Sequence, residues 1–70
     1  MAISKGAPVN FRFLSHPILG SELREGTAVV VDETIVGTDR AYILRVTGGP
    51  SYVPGEFIDV RARHVGVSAS

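Results

Sequence analysis

Hydrophobic and polar positions alternate in three places along the chain. Val9, Phe11 and Phe13 are apolar and are separated by Asn10 and Arg12. A period of two marks a half-buried β-strand and predicts one over Val9–Leu14. His16-Pro17 ends it, because proline lacks the donor a ladder requires. Thr27–Thr47, rich in β-branched residues, predicts two strands and a tight turn. The turn falls at Val36-Gly37-Thr38-Asp39. Glycine at its first central position suits a type II′ hairpin, which needs φ > 0 there. That turn predicts Ile35 opposite Arg40, Glu33 opposite Tyr42, Val31 opposite Leu44 and Val29 opposite Val46. The core face is then Val29, Val31, Tyr42, Leu44 and Val46. The outer face carries Ala28, Val30, Asp32 and Thr34, with Ala41, Ile43, Arg45 and Thr47. Glu56–Arg63 alternates again: Ile58, Val60 and Ala62 point inward, and Phe57, Asp59, Arg61 and Arg63 outward. His64-Val65-Gly66-Val67 adds a turn and a last short strand.

The intervening segments read as connections. Met1–Pro8 has no periodicity and predicts a flexible N-terminal arm. Pro17–Gly26, broken at Gly20, predicts a long surface loop with Ile18, Leu19 and Leu23 tucked onto the domain. Gly48–Gly55, with two prolines and a tyrosine among its glycines, predicts a second loop. The expected architecture is therefore all-β: a small five-stranded antiparallel barrel over residues 9–67, an arm at 1–8 and a tail at 68–70.

Composition narrows what such a domain can be. Seventy residues make one domain, and a chain near this size buries only about 60% of the surface its unfolded form exposes. Small chains usually add a disulfide, a metal or a partner subunit. There is no cysteine, and His16 and His64 are far apart, so disulfides, thiolate metal sites and a structural zinc site are not expected. Oligomerisation remains, which makes a homo-oligomer the expected state. Seven basic and seven acidic residues cancel, which lacks the basic footprint of a dedicated nucleic-acid binder. No apolar run is long enough to span a bilayer, and the first residues contain no secretory h-region. The expectation is a soluble protein with no membrane association, placed by default in the cytoplasm.

The end of the chain narrows the fold. Gly55–Val65, GEFIDVRARHV, resembles the closing segment of SH3-like barrels: a strand, a single 3₁₀ turn near Arg61–Arg63, and a valine opening the last strand. Gly26-Thr27-Ala28-Val29-Val30-Val31 looks like the first core strand of that class. Within it, the plasmid- and integron-borne type II dihydrofolate reductases are similar over more of the length. Asn10-Phe11-Arg12-Phe13-Leu14-Ser15 resembles the entry to their barrel, and Pro54-Gly55 the dipeptide before their pore strand. The resemblance implies an SH3-like fold assembled around a pore. It does not bring the activity: the family's Val-Gln-Ile-Tyr motif falls on Phe57-Ile58-Asp59-Val60, matching none of its residues, and its pore lysine falls near Val31.

Candidate chemistry is sparse. Asp32 and Glu33 are adjacent on a strand and point to opposite faces. No nucleophile elbow or phosphate-binding loop is present, and a lone His64 beside Arg63 makes a weak general base. No catalytic residue, cofactor or metal ligand is assigned. Binding is the expected role, with self-association or a protein partner ahead of a pore-forming, ligand-binding oligomer and of weak nucleic-acid binding. Tyr52 is a candidate contact because tyrosine offers area at low entropic cost, although it equally suits a ring folded back over the barrel end. Phe57, Asp59, Arg61 and Arg63 form an outer stripe that Arg45 extends; Asp59 is the contact a pore would use, and the aromatic and basic groups suit a single strand of nucleic acid. Val30 and Ile43 are the candidate subunit contacts, an apolar centre within a polar rim.

Overall fold

The computed structural model describes residues 3–16, 18 and 20–67. Met1 and Ala2, the Pro17 and Leu19 positions of the expected loop, and the expected tail 68–70 lie outside the described residues. Five strands form one antiparallel sheet: β1 (Pro8–Ser15), β2 (Glu22–Val36), β3 (Asp39–Gly48), β4 (Phe57–Arg61) and β5 (Val65–Val67). Their order is β4-β3-β2-β1-β5, so the sheet is open, with β4 and β5 at its edges. A 3₁₀ turn, Ala62–His64, joins those two edges. β2 is shared: Glu22–Val29 pairs with β1, and Thr27–Val36 pairs with β3.

The hairpin turn forms as alternation and turn chemistry predict. Val36 faces Asp39, Gly37 has φ +65°, and Thr38 keeps a negative φ, which is the type II′ pattern. Ile35 faces Arg40 and Glu33 faces Tyr42. The middle of the hairpin departs from the expected register. Val30, not Val31, faces Leu44, and Ala28, not Val29, faces Val46. Val31 is an extra residue on β2, and Thr47 is an extra residue on β3. The two bulges offset each other, so Thr27 faces Gly48 in the frame the turn set. A slip of one residue exchanges the faces of a strand. Here the slip is confined to Ala28–Val30, and it turns Ala28 and Val30 inward.

Val30 is 2% exposed, in a core with Val9, Phe11, Ala28, Tyr42, Leu44, Val46 and Val60, whereas Val31 is 41% exposed. The placement of Val30 on the outer face as a subunit contact is therefore corrected. So is the assignment of Val29 and Val31 to the core: Val29 is half-buried opposite Arg45. Ile43 is on the outer face as expected, half-buried opposite Asp32 and Asp59.

Two expected connections also change, and the Gly48–Gly55 loop forms as expected. Glu22–Gly26 is strand, paired with Phe11–Ser15. Gly26 looked like a breaker but is a seat: a Cβ there would meet the Gly48 carbonyl oxygen at 2.6 Å and the Phe11 ring at 3.0 Å. Only glycine lets the large ring of Phe11 and the β3 backbone approach together. Ile18 and Leu23 are exposed rather than tucked. The arm is fastened, not free. The Gly6 N–H donates to the Val30 carbonyl at 2.7 Å, and the Val30 N–H donates to the Ala7 carbonyl at 3.1 Å. The Ile3 N–H donates to the Tyr42 hydroxyl at 3.0 Å, giving a buried phenol the partner it needs. In the second loop, the Glu56 N–H donates to the Val53 carbonyl at 3.1 Å across Pro54-Gly55, with Gly55 at φ +95°. Proline followed by a positive-φ glycine is the type II turn signature.

Candidate functional site

Two surfaces gather the polar and exposed apolar side chains, and they differ in how their charges are matched. The first is the outer face of β2, β3 and β4, which holds most of the stripe expected from alternation. Phe57 is 62% exposed and lies opposite Arg45; Asp59 lies opposite Ile43; Arg61 lies opposite Ala41. Arg61 Nη1 donates to Asp39 Oδ2 at 2.6 Å, so its charge is satisfied within the sheet. Phe57, Thr34, Ile43, Ile58 and Asp59 line a small, mostly apolar hollow.

Asp32, on the same outer face, is also satisfied. Its Oδ1 accepts the Glu33 N–H at 2.8 Å and lies 3.4 Å from Lys5 Nζ. The backbone hydrogen bond, and then the lysine charge, hold its carboxyl below the ordinary aspartate range, because both favour the ionised form.

The second surface was not anticipated. Two adjoining depressions share Arg12 of β1 with Arg63 and His64 of the 3₁₀ turn. Toward one end the lining is Asn10, Glu25, Thr27 and Pro50; toward the other it is Phe13, Leu14, His16 and Leu23. Local structure explains the gathering. After Arg61 the chain tightens into Ala62–His64, which takes Arg63 out of the β4 alternation and swings it with His64 toward β1. The His64 ring packs 6.2 Å from that of Phe13, centre to centre. Leu14, 58% exposed, pairs with exposed Leu23 across β1 and β2.

The groove's charge is not matched. Among the described residues the ion pairs are Lys5–Asp32, Arg24–Glu22, Arg40–Glu33 and Arg61–Asp39. Arg12 and Arg63 make none. Glu25 faces Arg12 across the strands without coming within ion-pair distance, and it is the one carboxylate among the described residues that line the groove.

Tyr52 belongs to neither surface as an exposed contact. Its ring packs 5.9 Å from that of Phe11 and carries the Arg24 guanidinium 5.4 Å above it. Arg24 also donates to the Ser51 carbonyl at 3.4 Å, and the Glu25 N–H donates to Ser51 Oγ at 3.0 Å. The loop is thus folded over the end of the core, and of the two expected placements of Tyr52 the structure has the ring folded back. The stripe of Phe57, Asp59, Arg61 and Arg63 is divided: the first three share a face, and Arg63 joins the groove. Arg12, Leu14, Leu23 and His64 were missed as site residues. The available signal was that Leu14 breaks the apolar-inward alternation of Val9, Phe11 and Phe13.

Among the described residues no group of three His, Cys, Asp or Glu side chains is placed to hold a metal ion, and no helix is long and apolar enough to cross a membrane. Comparisons with protein-family models, with curated proteins and with solved structures found no match to this chain.

Proposed function

We propose that this chain is a non-enzymatic binding module, and that its groove between β1 and the 3₁₀ turn takes an acidic, partly apolar segment of a partner protein. The observation that carries the reading is the meeting of Arg12 and Arg63, neither matched by a carboxylate, beside exposed Leu14 and Leu23. An unneutralised arginine pair offers planar, forked donors that fit carboxylates, and the leucines offer an apolar anchor at its side. An SH3-like scaffold is part of the reading. It is supported by the strand order and by the 3₁₀ turn between the last two strands. Fluorescence anisotropy with a labelled acidic peptide tests it. The Arg12→Ala/Arg63→Ala variant loses at least about tenfold in affinity, since each charged hydrogen bond contributes roughly 1.5–3 kcal/mol. An unchanged affinity overturns the reading, and so does equal displacement of the peptide by single-stranded DNA.

A second reading is self-association through the outer face of β2, β3 and β4. It rests on exposed Phe57 and half-buried Ile43 and Val29 at the middle of that face. Sedimentation measures it: a concentration-dependent dimer or tetramer that Phe57→Asp dissociates supports it, and a monomer at all concentrations removes it.

A further inference from the structure

We infer that the acidic segment binds by strand addition, hydrogen-bonding as an extended chain to the unpaired edge of β1 from Arg12 to Ser15. The inference rests on the reading of the groove above and adds to it a mode of recognition. Its observation is separate from the arginines. β5 reaches only as far as Val65, opposite Phe11, because the residues before it are wound into the 3₁₀ turn. β1 runs on through Arg12, Phe13, Leu14 and Ser15, which pair with Glu25, Arg24, Leu23 and Glu22 of β2 on one side only. On the β5 side none of these four has a ladder partner. Alternate residues of a strand direct both N–H and C=O to the same side, so part of this segment offers donors and acceptors to an incoming strand.

The open edge borders the same depression that holds Arg63 and His64 on one wall and Phe13, Leu14 and Leu23 on the other. An added strand lies there with one set of its side chains on the face that carries Arg12, Leu14 and Leu23, and the alternate set on the face where Phe13 packs against His64. This is the division of labour in strand addition, where main-chain bonds supply affinity and alternate side chains supply specificity. Charge selects the occupant. Arg12 lies on the edge itself, so a second copy of this edge brings arginine against arginine, a common guard against edge-to-edge pairing. The same charges favour a strand carrying carboxylates.

The test uses the whole chain and a short labelled peptide alternating glutamate and valine. Two further peptides carry N-methyl groups on the amides of one edge or of the other. Strand addition predicts that methylation of one edge weakens binding about tenfold or more, the loss of a few main-chain hydrogen bonds, while methylation of the other edge leaves it unchanged. It also predicts slowed amide exchange confined to Arg12–Ser15 when the unmethylated peptide is bound. Equal binding of both methylated peptides, still lost in Arg12→Ala/Arg63→Ala, overturns strand addition and leaves the groove standing. No binding of the unmethylated peptide overturns both.

Discussion

The outer face of β3 and β4 and the groove beside β1 are built from the same residue types, yet ion pairs form on the first, leaving Arg45 and Asp59 outside them, and none forms in the second. On the outer face Arg61 meets Asp39 at 2.6 Å, and Asp32 meets both a backbone N–H and Lys5. In the groove Arg12 and Arg63 meet no carboxylate among the described residues. The difference comes from chain direction. Along β3 and β4 the strands stay paired, and their acidic and basic residues fall on neighbouring rungs. The 3₁₀ turn instead drops Arg63 out of its rung and beside a strand end whose nearest carboxylate, Glu25, is alone. Arg61, paired to Asp39 within the sheet, is not free for a partner, whereas Arg12 and Arg63, unpaired beside exposed leucines, are.

The largest expected effect concerns which valine faces in. Val30→Asp places a carboxylate in the core without a partner and costs more than about 3 kcal/mol. A domain of this size has roughly 3–10 kcal/mol of stability in total, so the variant is expected to be largely unfolded by circular dichroism. Val31→Asp, one residue away, costs less than about 1 kcal/mol; similar denaturation midpoints for the two would break the assignment of the bulge. Gly49→Ala is next. Gly49 has φ +118°, and a Cβ there would meet the Gly26 Cα at 2.5 Å, so urea denaturation is expected to show a loss of more than about 1 kcal/mol.

In binding, Arg12→Ala and Arg63→Ala weaken an acidic peptide, while Arg45→Ala and Arg61→Ala leave its affinity within about twofold; a larger loss from the second pair would move the site to the outer face. For stability, Arg61→Ala costs about 1 kcal/mol or less, the usual contribution of a partly exposed pair, and added salt reduces the difference between the variant and the parent. The smallest effect is that of pH on Asp32. Its folded-state pKa is lowered by the Glu33 N–H and Lys5, so its contribution is present at neutral pH and is lost as pH falls through that lowered value. Asp32→Asn removes this part of the acid sensitivity, and acid titrations of the two proteins that superimpose would show that Asp32 contributes none of it.

Sequence alone determined the existence and type of most elements. Alternation at Val9–Leu14 and Glu56–Arg63 located β1 and β4 to within a residue or two. The Val36–Asp39 turn followed from the single glycine that satisfies its φ. These are local properties, set by the covalent preferences of a few adjacent residues and by a period of two. The inward placement of Ala28 and Val30 was decided only by tertiary structure. Val29, Val30 and Val31 are the same residue, so either parity satisfies the hydrophobic pattern, and a bulge adds one residue without altering composition. What selects the parity is nonlocal: Phe11 packs over Gly26, where a Cβ would not fit, and with Gly26 facing inward, strand alternation carries Ala28 and Val30 inward as well. The groove arose in the same way. Arg12 and Arg63 are fifty-one positions apart, and they share a surface because β5 pairs with β1 and the 3₁₀ turn precedes it. Alternation within one strand carries no information about which distant residue a turn will deliver beside it.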